Sequence, residues 1–384
     1  MSLLEVTDLK VSFPTEDGIV KAVQGVSFSI DPGQTLGIVG ESGSGKSVST
    51  QTIMGLTRGA QISGTALFEG RDLISMSKDD LRDVRGKKIS MIFQDPLSSL
   101  HPQYRVGWQI VEAIRAHEAV PKDQAKKRAV ELLGLVGIPR PEQRVDDFPH
   151  QFSGGMRQRA MIAMALSLNP AVLIADEPTT ALDVTVQAQI LDLIERLQRE
   201  FGTAVIMITH DLGVVAELAD QVLVMYAGKP IEMADRRTTY YKPHHPYTKG
   251  LLESIPSAST NPEDRLKPIK GQPPSLITLP SGCSFHPRCP YVMDICKVEV
   301  PPLKPVAGSA YHLSACHLPA DEVGFDPAVE QARVTTASAG RSARTKAAAK
   351  PAAKPAAKPA AARARKPAAT EPPKSGPRHR KASS

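Results

Sequence analysis

A glycine-rich loop between a short apolar strand and a helix constrains the fold of this chain more than any other feature. The strand is predicted over 35–39, and residues 40–47 read Gly-Glu-Ser-Gly-Ser-Gly-Lys-Ser. Such a loop is typical of phosphate binding, because its backbone N–H groups point at the ligand from the start of the next helix. A glycine-rich turn without a ligand is the alternative for the loop taken alone. The strand before it and an acidic strand end downstream favour phosphate binding.

The residue types in this loop divide the work of binding a nucleotide. Glycines let the backbone wrap closely around the phosphates, the lysine reaches the β and γ phosphates, and the last hydroxyl can hold Mg²⁺. The sequence therefore predicts a nucleotide site that includes Gly40, Ser42, Gly43, Gly45, Lys46 and Ser47.

Two carboxylates follow a second apolar strand, which is predicted over 171–175. Asp176 ends that strand, where a carboxylate can hold magnesium, and Glu177 is the natural base or positioner for an attacking water. Phosphoryl transfer asks the protein mainly for positioning and charge neutralisation, so this pair and Lys46 cover the main tasks. A capping Asp-Glu pair before Pro178 is the alternative.

Hydrophobic periodicity predicts an α/β fold. Residues 1–34 alternate apolar and polar side chains, as in antiparallel strands. The runs 171–175 and 204–208 are continuously apolar, as in parallel strands covered on both faces, and one apolar helix face lies between them. A helical insertion is predicted over about 95–168, with helices over 111–119, 124–136 and 155–166.

The basic charge of the chain is concentrated at one end. The formal charge is +7, but residues 341–384 hold 13 Lys/Arg and one acid, which leaves −5 for residues 1–340. Residues 321–384, rich in Ala, Lys and Pro, are predicted to be disordered. Such a tail attracts nucleic acid or anionic lipid headgroups, or is a solvated extension without a partner. No aromatic residue follows position 340, so base stacking is not available to it.

The sequence gives no sign of export or of membrane insertion. The first residues lack the positive start and apolar core of a secretory signal. No apolar run reaches the roughly 18–20 residues needed to span a bilayer. We therefore expect a cytoplasmic protein whose membrane role depends on a partner.

Three further motifs follow the phosphate loop in the order found in one ATPase family. They are Gln94, then Ser-Gly-Gly-Met-Arg-Gln at 153–158, then Ala-Asp-Glu-Pro at 175–178. Over about residues 3–255 the chain resembles the ATP-binding cassette (ABC) subunits of bacterial importers. The resemblance implies a P-loop ATPase domain over 1–255, with an antiparallel β subdomain and a helical subdomain. It also implies a second ABC ATPase subunit, identical or paralogous, that closes two ATP sites.

The resemblance implies roles for residues around the nucleotide. Gln94 would bind magnesium beside Ser47 and Asp176, and would sense the γ phosphate. His210 would orient the γ phosphate and act in catalysis with Glu177 and Gln94. Two further implied contacts involve the adenine base and the partner's ATP: Phe13 would stack on adenine, while Ser153, Gly154, Gly155 and Asp183 would lie at the dimer interface.

Three segments resemble the peptide, dipeptide and nickel branch of these importers, namely 93–100, 152–159 and 245–252. This implies an energy-coupling ATPase on the cytoplasmic face of the membrane. Its implied partners are two integral-membrane permease subunits, to which it binds, and an extracytoplasmic solute-binding protein, which acts indirectly. The implied solutes are di- and oligopeptides, with nickel, haem or another small solute as the alternative. A soluble ABC ATPase acting on nucleic acid is a further alternative, although such proteins often carry a long coiled coil that is missing here.

All four cysteines lie in one stretch of 34 residues. This stretch is part of a Pro-rich module, predicted over 256–320, which we expect to be irregular. Grouped thiols in a cytosolic chain indicate metal before disulfides. Four thiolates suit either Zn²⁺ or an iron–sulfur cluster, and a core of reduced thiols is the third possibility. The peptide-importer resemblance implies a [4Fe–4S] cluster with a structural role, held by Cys283, Cys289, Cys296 and Cys316. The neighbouring His286, His312 and His317 are spare ligands or solvated loop histidines.

Overall fold

The computed structural model describes residues 2–95, 99–180, 182–254, 268–306, 309 and 311–319. Its strands are β1 (Leu4–Thr15), β2 (Gly18–Ile30), β3 (Thr35–Val39), β4 (Gln61–Phe68), β5 (Arg71–Asp72), β6 (Ile89–Ile92), β7 (Val172–Asp176), β8 (Ala204–Thr209), β9 (Gln221–Tyr226), β10 (Lys229–Asp235), β11 (Lys304–Pro305) and β12 (Leu313–Ser314).

Helices join many of these strands along the described part of the chain. They are α1 (Lys46–Ile53), α2 (Lys78–Val84), α3 (Val106–Arg115), α4 (Lys122–Leu135), α5 (Pro141–Arg144), α6 (Gly154–Ala165), α7 (Val184–Phe201), α8 (Leu212–Leu218), α9 (Arg236–Tyr241), α10 (Pro246–Glu253) and α11 (Asp294–Val298), with 3₁₀ turns at Pro149–Gln151 and His286–Arg288. None of the helices in this part of the chain has the length and apolarity needed to cross a membrane.

The first sheet is antiparallel, as the alternation of residues 1–34 predicts, and its strand order is β2-β1-β4-β5. Leu4 and Val6 are buried, and so are Leu9 and Val11, although the two pairs are out of phase in a strict two-residue repeat. A register shift between Val6 and Leu9 explains this, because one extra residue moves the following side chains to the opposite face. The bulge thus keeps one face of a 12-residue strand in the core.

The second sheet contains the parallel core of the fold, and its strand order is β11-β12-β10-β9-β3-β8-β7-β6. β3 pairs in parallel with β8 and β9, and β7 pairs in parallel with β6 and β8. Every residue of β3, β7 and β8 is buried, which confirms the interpretation of their continuously apolar sequences. The carboxyl ends of these three strands lie side by side, where ligands bind in open α/β sheets.

The region predicted as helical over about 95–168 contains α3 to α6. The helix predicted over 111–119 is wrong in its bounds, because α3 begins at Val106 and ends at Arg115. Its second residue, Gly107, packs so closely on Val145 that a Cβ would lie 2.1 Å from Val145 Cγ2. A glycine near the start of this helix is therefore required by packing, although glycine is a poor helix former. The predictions over 124–136 and 155–166 match α4 and α6 to within two residues.

The Pro-rich C-terminal residues are mostly irregular, as expected, but they also extend the large sheet. β12 pairs antiparallel with β10, where Ser314 lies opposite Glu232. The expectation of a solvated His312 is wrong, because its side chain is buried and its Nε2 lies 2.6 Å from Glu232 Oε1. The boundary predicted at 255/256 and the predicted disordered tail over 321–384 both lie outside the described residues.

Candidate nucleotide-binding site

A cleft of about 550 Å³ opens at the carboxyl ends of β3, β7 and β8. Residues 40–48 form one wall, and Gln94, Glu177, His210 and Leu251 complete the lining. The phosphate loop leaves β3, Glu177 follows β7, and His210 follows β8, so the parallel sheet brings all three to one edge. The predicted phosphate loop and the predicted catalytic residues therefore share one cleft.

Two glycines of the loop are required by its geometry. Gly40 has φ +153° and a Cβ there would lie 2.2 Å from the Met225 carbonyl oxygen. Gly45 has φ +96°, and a Cβ there would lie 2.2 Å from the Ala22 carbonyl oxygen. Both positions demand glycine because they combine left-handed backbone with direct backbone contact. The helix α1 begins directly after Gly45, so its free N–H groups face the cleft.

Lys46 is buried at the base of the loop. Its Nζ donates hydrogen bonds to the carbonyl oxygens of Gly40 at 2.7 Å and Glu41 at 3.0 Å. Burial lowers the pKa of Lys46, and the nearby charges of Glu177, Asp176 and Glu41 oppose this shift. These carboxylates favour the charged form that an anionic phosphate requires.

Asp176 and Ser47 form a pair of oxygen ligands beside the loop. The Ser47 hydroxyl donates a 2.7 Å hydrogen bond to Asp176 Oδ1. Asp176 is 3% exposed, and burial raises the pKa of its carboxyl, while the hydrogen bond from Ser47 acts in the opposite direction. A carboxylate and a hydroxyl at this separation have the hard oxygen chemistry that Mg²⁺ prefers.

Glu177 is the centre of a hydrogen-bonded group over the loop. Its Oε2 accepts hydrogen bonds from Gln94 Nε2 at 3.0 Å and Thr180 Oγ1 at 2.9 Å. His210 Nδ1 lies 3.2 Å from its Oε1. Glu177 also has φ +45°, a left-handed conformation that is strained for a residue with a side chain. Such strain persists only where the surroundings over-determine the geometry, and it is frequent at functional sites.

Sequence reasoning missed three residues that line this cleft or hold its lining residues in place. Thr180 positions Glu177, and its only signal was its place three residues later in the same loop. The Tyr247 hydroxyl accepts a 2.8 Å hydrogen bond from the Glu41 backbone N–H. Leu251 lines the cleft from the same helix, α10. No local pattern predicts that this helix reaches the phosphate loop.

Other predicted site residues lie away from the cleft. Within the described part of the chain, Phe13, Ser153, Gly154, Gly155 and Asp183 do not line it. Phe13 is on β1, opposite Val20 of β2, and packs partly against the core. Ser153 and Asp183 instead cap helices: the Ser153 Oγ accepts from the Met156 N–H, and Asp183 Oδ1 accepts from the first turn of α7.

The four cysteines are all free thiols in the C-terminal module. The Cys283 N–H donates a 2.8 Å hydrogen bond to the Cys296 carbonyl, which joins two parts of the module. Burial raises the pKa of Cys289 to about 11 and that of Cys316 to about 12, and the other thiols add to both shifts. These thiols therefore need a positive metal centre to act as thiolates near neutral pH.

The cysteine geometry does not resemble a closed single-ion site. Among the described residues, no three His, Cys, Asp or Glu side chains converge on a point that could hold one metal ion. A structural zinc requires four ligands within about 2.0–2.3 Å of one centre. A [4Fe–4S] cluster is held by four cysteines around a larger centre, so it imposes a wider ligand arrangement.

The fold and the cleft together define a P-loop nucleotide-binding protein. Comparison with known families refines this class. The model for the ABC transporter family matches residues 23–180, and the model for the oligopeptide/dipeptide transporter C-terminal region matches residues 231–296. The second match includes the segment that joins the core sheet to the cysteine module.

Close relatives extend over most of the chain. The oligopeptide transport ATP-binding protein OppD of Bacillus subtilis is 55% identical over 312 residues, which cover 80% of this chain and 87% of the relative. OppD of Salmonella typhimurium is 51% identical, and the match covers 84% of this chain and 95% of that relative. The dipeptide transport ATP-binding protein DppD of B. subtilis is 53% identical and covers 77% and 88%. The chain belongs to the ABC transporter ATPases of the oligopeptide and dipeptide type.

Solved structures support the same fold. The ATP-binding cassette MJ0796, solved as a dimer in a post-hydrolysis state with ADP and Pi, has a TM-score of 0.56 and 27% identity. The match covers 61% of this chain and 99% of that structure. CbiO1 of Clostridium perfringens, part of the ABC transporter complex cbiONQ, has a TM-score of 0.53 at 30% identity and covers 62% and 90%. The predicted fold class and family are confirmed.

Proposed function

We propose that the chain is the ATP-hydrolysing, energy-coupling subunit of an importer for di- and oligopeptides. The observation that carries the proposal is the set of side chains around Glu177, which lies over a phosphate loop in a chain with OppD and DppD relatives. Those relatives are ATP-binding proteins of oligopeptide and dipeptide transport, and both family models match this chain.

The predicted site residues divide the work of binding and hydrolysing ATP in this proposal. Lys46 and the N–H groups at the start of α1 bind the β and γ phosphates. Ser47, Asp176 and Gln94 hold Mg²⁺, which when bound neutralises charge on the transferring phosphate. Glu177 accepts the proton of the attacking water or orients it, and His210 orients the γ phosphate. Phe13, which is on β1 and does not line the cleft, stacks on the adenine base beyond the phosphates.

We further infer that two such subunits close the site. Ser153 and Gly154 are exposed at the start of α6, and a Cβ on Gly154 would meet nothing within 4 Å in its own chain. The start of a 12-residue helix suits a phosphate group, and the residues at this helix start do not line the nucleotide cleft of their own chain. The related cassette MJ0796 was solved as a dimer. Gly155 and Asp183 complete the surface offered to the partner.

The partners in this proposal are a second ABC ATPase subunit and two permease subunits in the membrane, with the solute-binding protein acting indirectly. The chain would then work at the cytoplasmic face of the membrane as a peripheral subunit. Contact of residues 321–384 with anionic lipid or nucleic acid stays a prediction, because these residues lie outside the described part.

Uptake in cells that lack this chain tests the proposal. Uptake of labelled di- and oligopeptides should be lost, restored by the wild-type chain, and not restored by Glu177→Gln. If nickel or haem uptake is lost while peptide uptake is intact, nickel or haem would replace peptides as the proposed solute. Unchanged uptake of all three, with nucleic acid retained on the purified protein at moderate salt, would favour the soluble alternative.

We also infer that Cys283, Cys289, Cys296 and Cys316 hold a [4Fe–4S] cluster that stabilises the C-terminal module. The grouping of four free thiols in one short module supports this, because grouped cysteines in a chain without disulfides indicate a metal centre. Anaerobic purification should give a brown protein with about four iron atoms per chain. Cys289→Ser should lose the colour and the iron. Stoichiometric zinc in a colourless preparation would overturn the cluster.

A further inference from the structure

Arg288 joins the C-terminal module to the phosphate loop by a bidentate ion pair. Arg288 Nη1 lies 2.6 Å from Glu41 Oε2, and Arg288 Nη2 lies 3.0 Å from Glu41 Oε1. The two residues are 247 positions apart in the sequence. Two parallel hydrogen bonds between a guanidinium and a carboxylate fix orientation as well as distance. The pair therefore sets the position of Glu41, the second residue of the loop.

The guanidinium of Arg288 is itself held in place from several directions. Its side chain is only 4% exposed, and its Nε donates a 3.0 Å hydrogen bond to the Lys270 carbonyl oxygen. The guanidinium carbon lies 5.8 Å from the centre of the Tyr226 ring and 6.0 Å from that of Phe285, within the range of cation–π attraction. The hydrogen bond to Glu41 raises the pKa of Arg288, so the residue stays charged. Arg288 is thus a fixed cation and not a mobile surface side chain.

Glu41 is held on its backbone side as well. Its N–H donates to the Tyr247 hydroxyl at 2.8 Å, and its carbonyl oxygen accepts from Lys46 Nζ at 3.0 Å. The residue lines the nucleotide cleft. An unpaired carboxylate at this position would repel a triphosphate, because like charges in a partly buried cleft are poorly screened by solvent.

We propose that Arg288 is a positioning residue for ATP binding, which neutralises the Glu41 carboxylate and fixes the start of the phosphate loop. The proposal rests on ATP binding at this cleft, as set out under Proposed function. On this proposal the C-terminal module supports the nucleotide site, because its Arg288 holds the phosphate loop in place. The module then influences nucleotide affinity without touching the nucleotide.

The test compares three variants of the full-length chain. Arg288→Met keeps the volume of the side chain and leaves Glu41 unpaired in the cleft. We expect it to weaken ATP binding and raise KM for ATP by about tenfold or more, with a much smaller change in kcat. Arg288→Lys retains a charge without the bidentate geometry and should recover only part of the affinity. Arg288→Met combined with Glu41→Gln removes the repulsion and should return the affinity to within about threefold of wild type.

Controls separate this pair from general damage. Arg82→Met breaks an ion pair with Asp79 in which both side chains are mostly exposed, and it should leave ATP binding unchanged. If Arg288→Met does not fold, the single variant Glu41→Gln tests the proposal instead. It should bind ATP at least as tightly as wild type, because it leaves the positive charge of Arg288 unpaired beside the cleft. Unchanged affinity in Arg288→Met, or a double variant as weak as Arg288→Met, would overturn the proposal. Failure of the wild-type chain to bind ATP would instead overturn the proposed function.

Discussion

The Ser47 hydroxyl donates a 2.7 Å hydrogen bond to Asp176 Oδ1, although the two residues lie 129 positions apart. The sheet order explains the contact. Ser47 follows β3 through the phosphate loop, Asp176 ends β7, and β8 lies between those strands in parallel. Because parallel strands end at the same edge, two sequence motifs that are distant in the chain form one oxygen-rich corner.

A magnesium requirement tests this corner. Ser47→Ala removes the hydroxyl and should raise the Mg²⁺ concentration needed for half-maximal ATPase activity by about 10- to 100-fold. The measurement is ATPase activity as a function of Mg²⁺ at fixed ATP. Ser49→Ala is the matched control, because its hydroxyl bonds to the Lys46 carbonyl oxygen within the same helix. An equal Mg²⁺ requirement in both variants would remove Ser47 from the magnesium site.

The group around Glu177 makes a sharper prediction about turnover. Glu177→Gln keeps the shape of the side chain and removes the base, so ATP should still bind while turnover falls by about 10²–10⁴-fold. Single-turnover hydrolysis and binding of labelled ATP measure the two effects separately. Glu131→Gln, which alters an exposed ion pair with Arg128, should leave both unchanged. Undiminished hydrolysis by Glu177→Gln would remove Glu177 from the catalytic role.

The parts of the site that follow local rules could be predicted from the sequence. The bounds predicted for the strand over 35–39 are those of β3, because five buried residues between turn signals leave little choice of structure. The loop from Gly40 follows because glycines, lysine and serine occur at fixed spacing. The edge of the sheet where His210 lies was also predictable, because the strand before it is continuously apolar.

The remaining contacts depend on tertiary packing that no local pattern encodes. Nothing in the sequence links Arg288 to Glu41, and only the docking of the C-terminal module brings them together. Gly107 within a helix contradicts helix propensity, and it is explained only by the close approach of Val145. His312 is buried because a strand two residues long places it next to Glu232.

The exposed start of α6 predicts a defect that appears only in the assembled ATPase. Gly154→Ala adds a methyl group that meets no atom of its own chain within 4 Å, so the stability of the single chain should be unchanged or slightly higher. If this surface contacts a partner's phosphates, the methyl group should reduce ATPase activity and ATP-dependent dimerisation. Steady-state ATPase assays and light scattering with ATP measure these effects.

Gly134→Ala is the matched control for that experiment. Gly134 lies in α4, is exposed, and a Cβ there would be 3.6 Å from Pro141, which is an ordinary contact. We expect it to raise stability by about 0.5–1 kcal/mol without changing activity. Full activity and normal dimerisation of Gly154→Ala would contradict the proposed dimer interface.

The buried Glu232 predicts how stability depends on pH. Glu232 is 0% exposed, and its carboxylate accepts the backbone N–H groups of His244 at 2.6 Å and His245 at 3.0 Å. Burial alone would raise the pKa of this carboxyl, but the hydrogen bonds, with that from His312 the largest, lower it below its usual value. A lowered pKa means that the ionised carboxylate stabilises the fold above the unfolded pKa of about 4.3.

This stabilisation should be lost as the pH falls through the lowered pKa of the folded state. The melting temperature of the wild-type chain should therefore decrease steeply between about pH 5 and pH 3. Glu232→Gln should lower the free energy of unfolding at pH 7 by about 3–5 kcal/mol and flatten that slope. Glu69→Gln changes an exposed pair with Lys88 and should cost less than about 1 kcal/mol. If the melting temperatures of wild type and Glu232→Gln depend on pH with the same slope, carboxylates other than Glu232 control the acid transition.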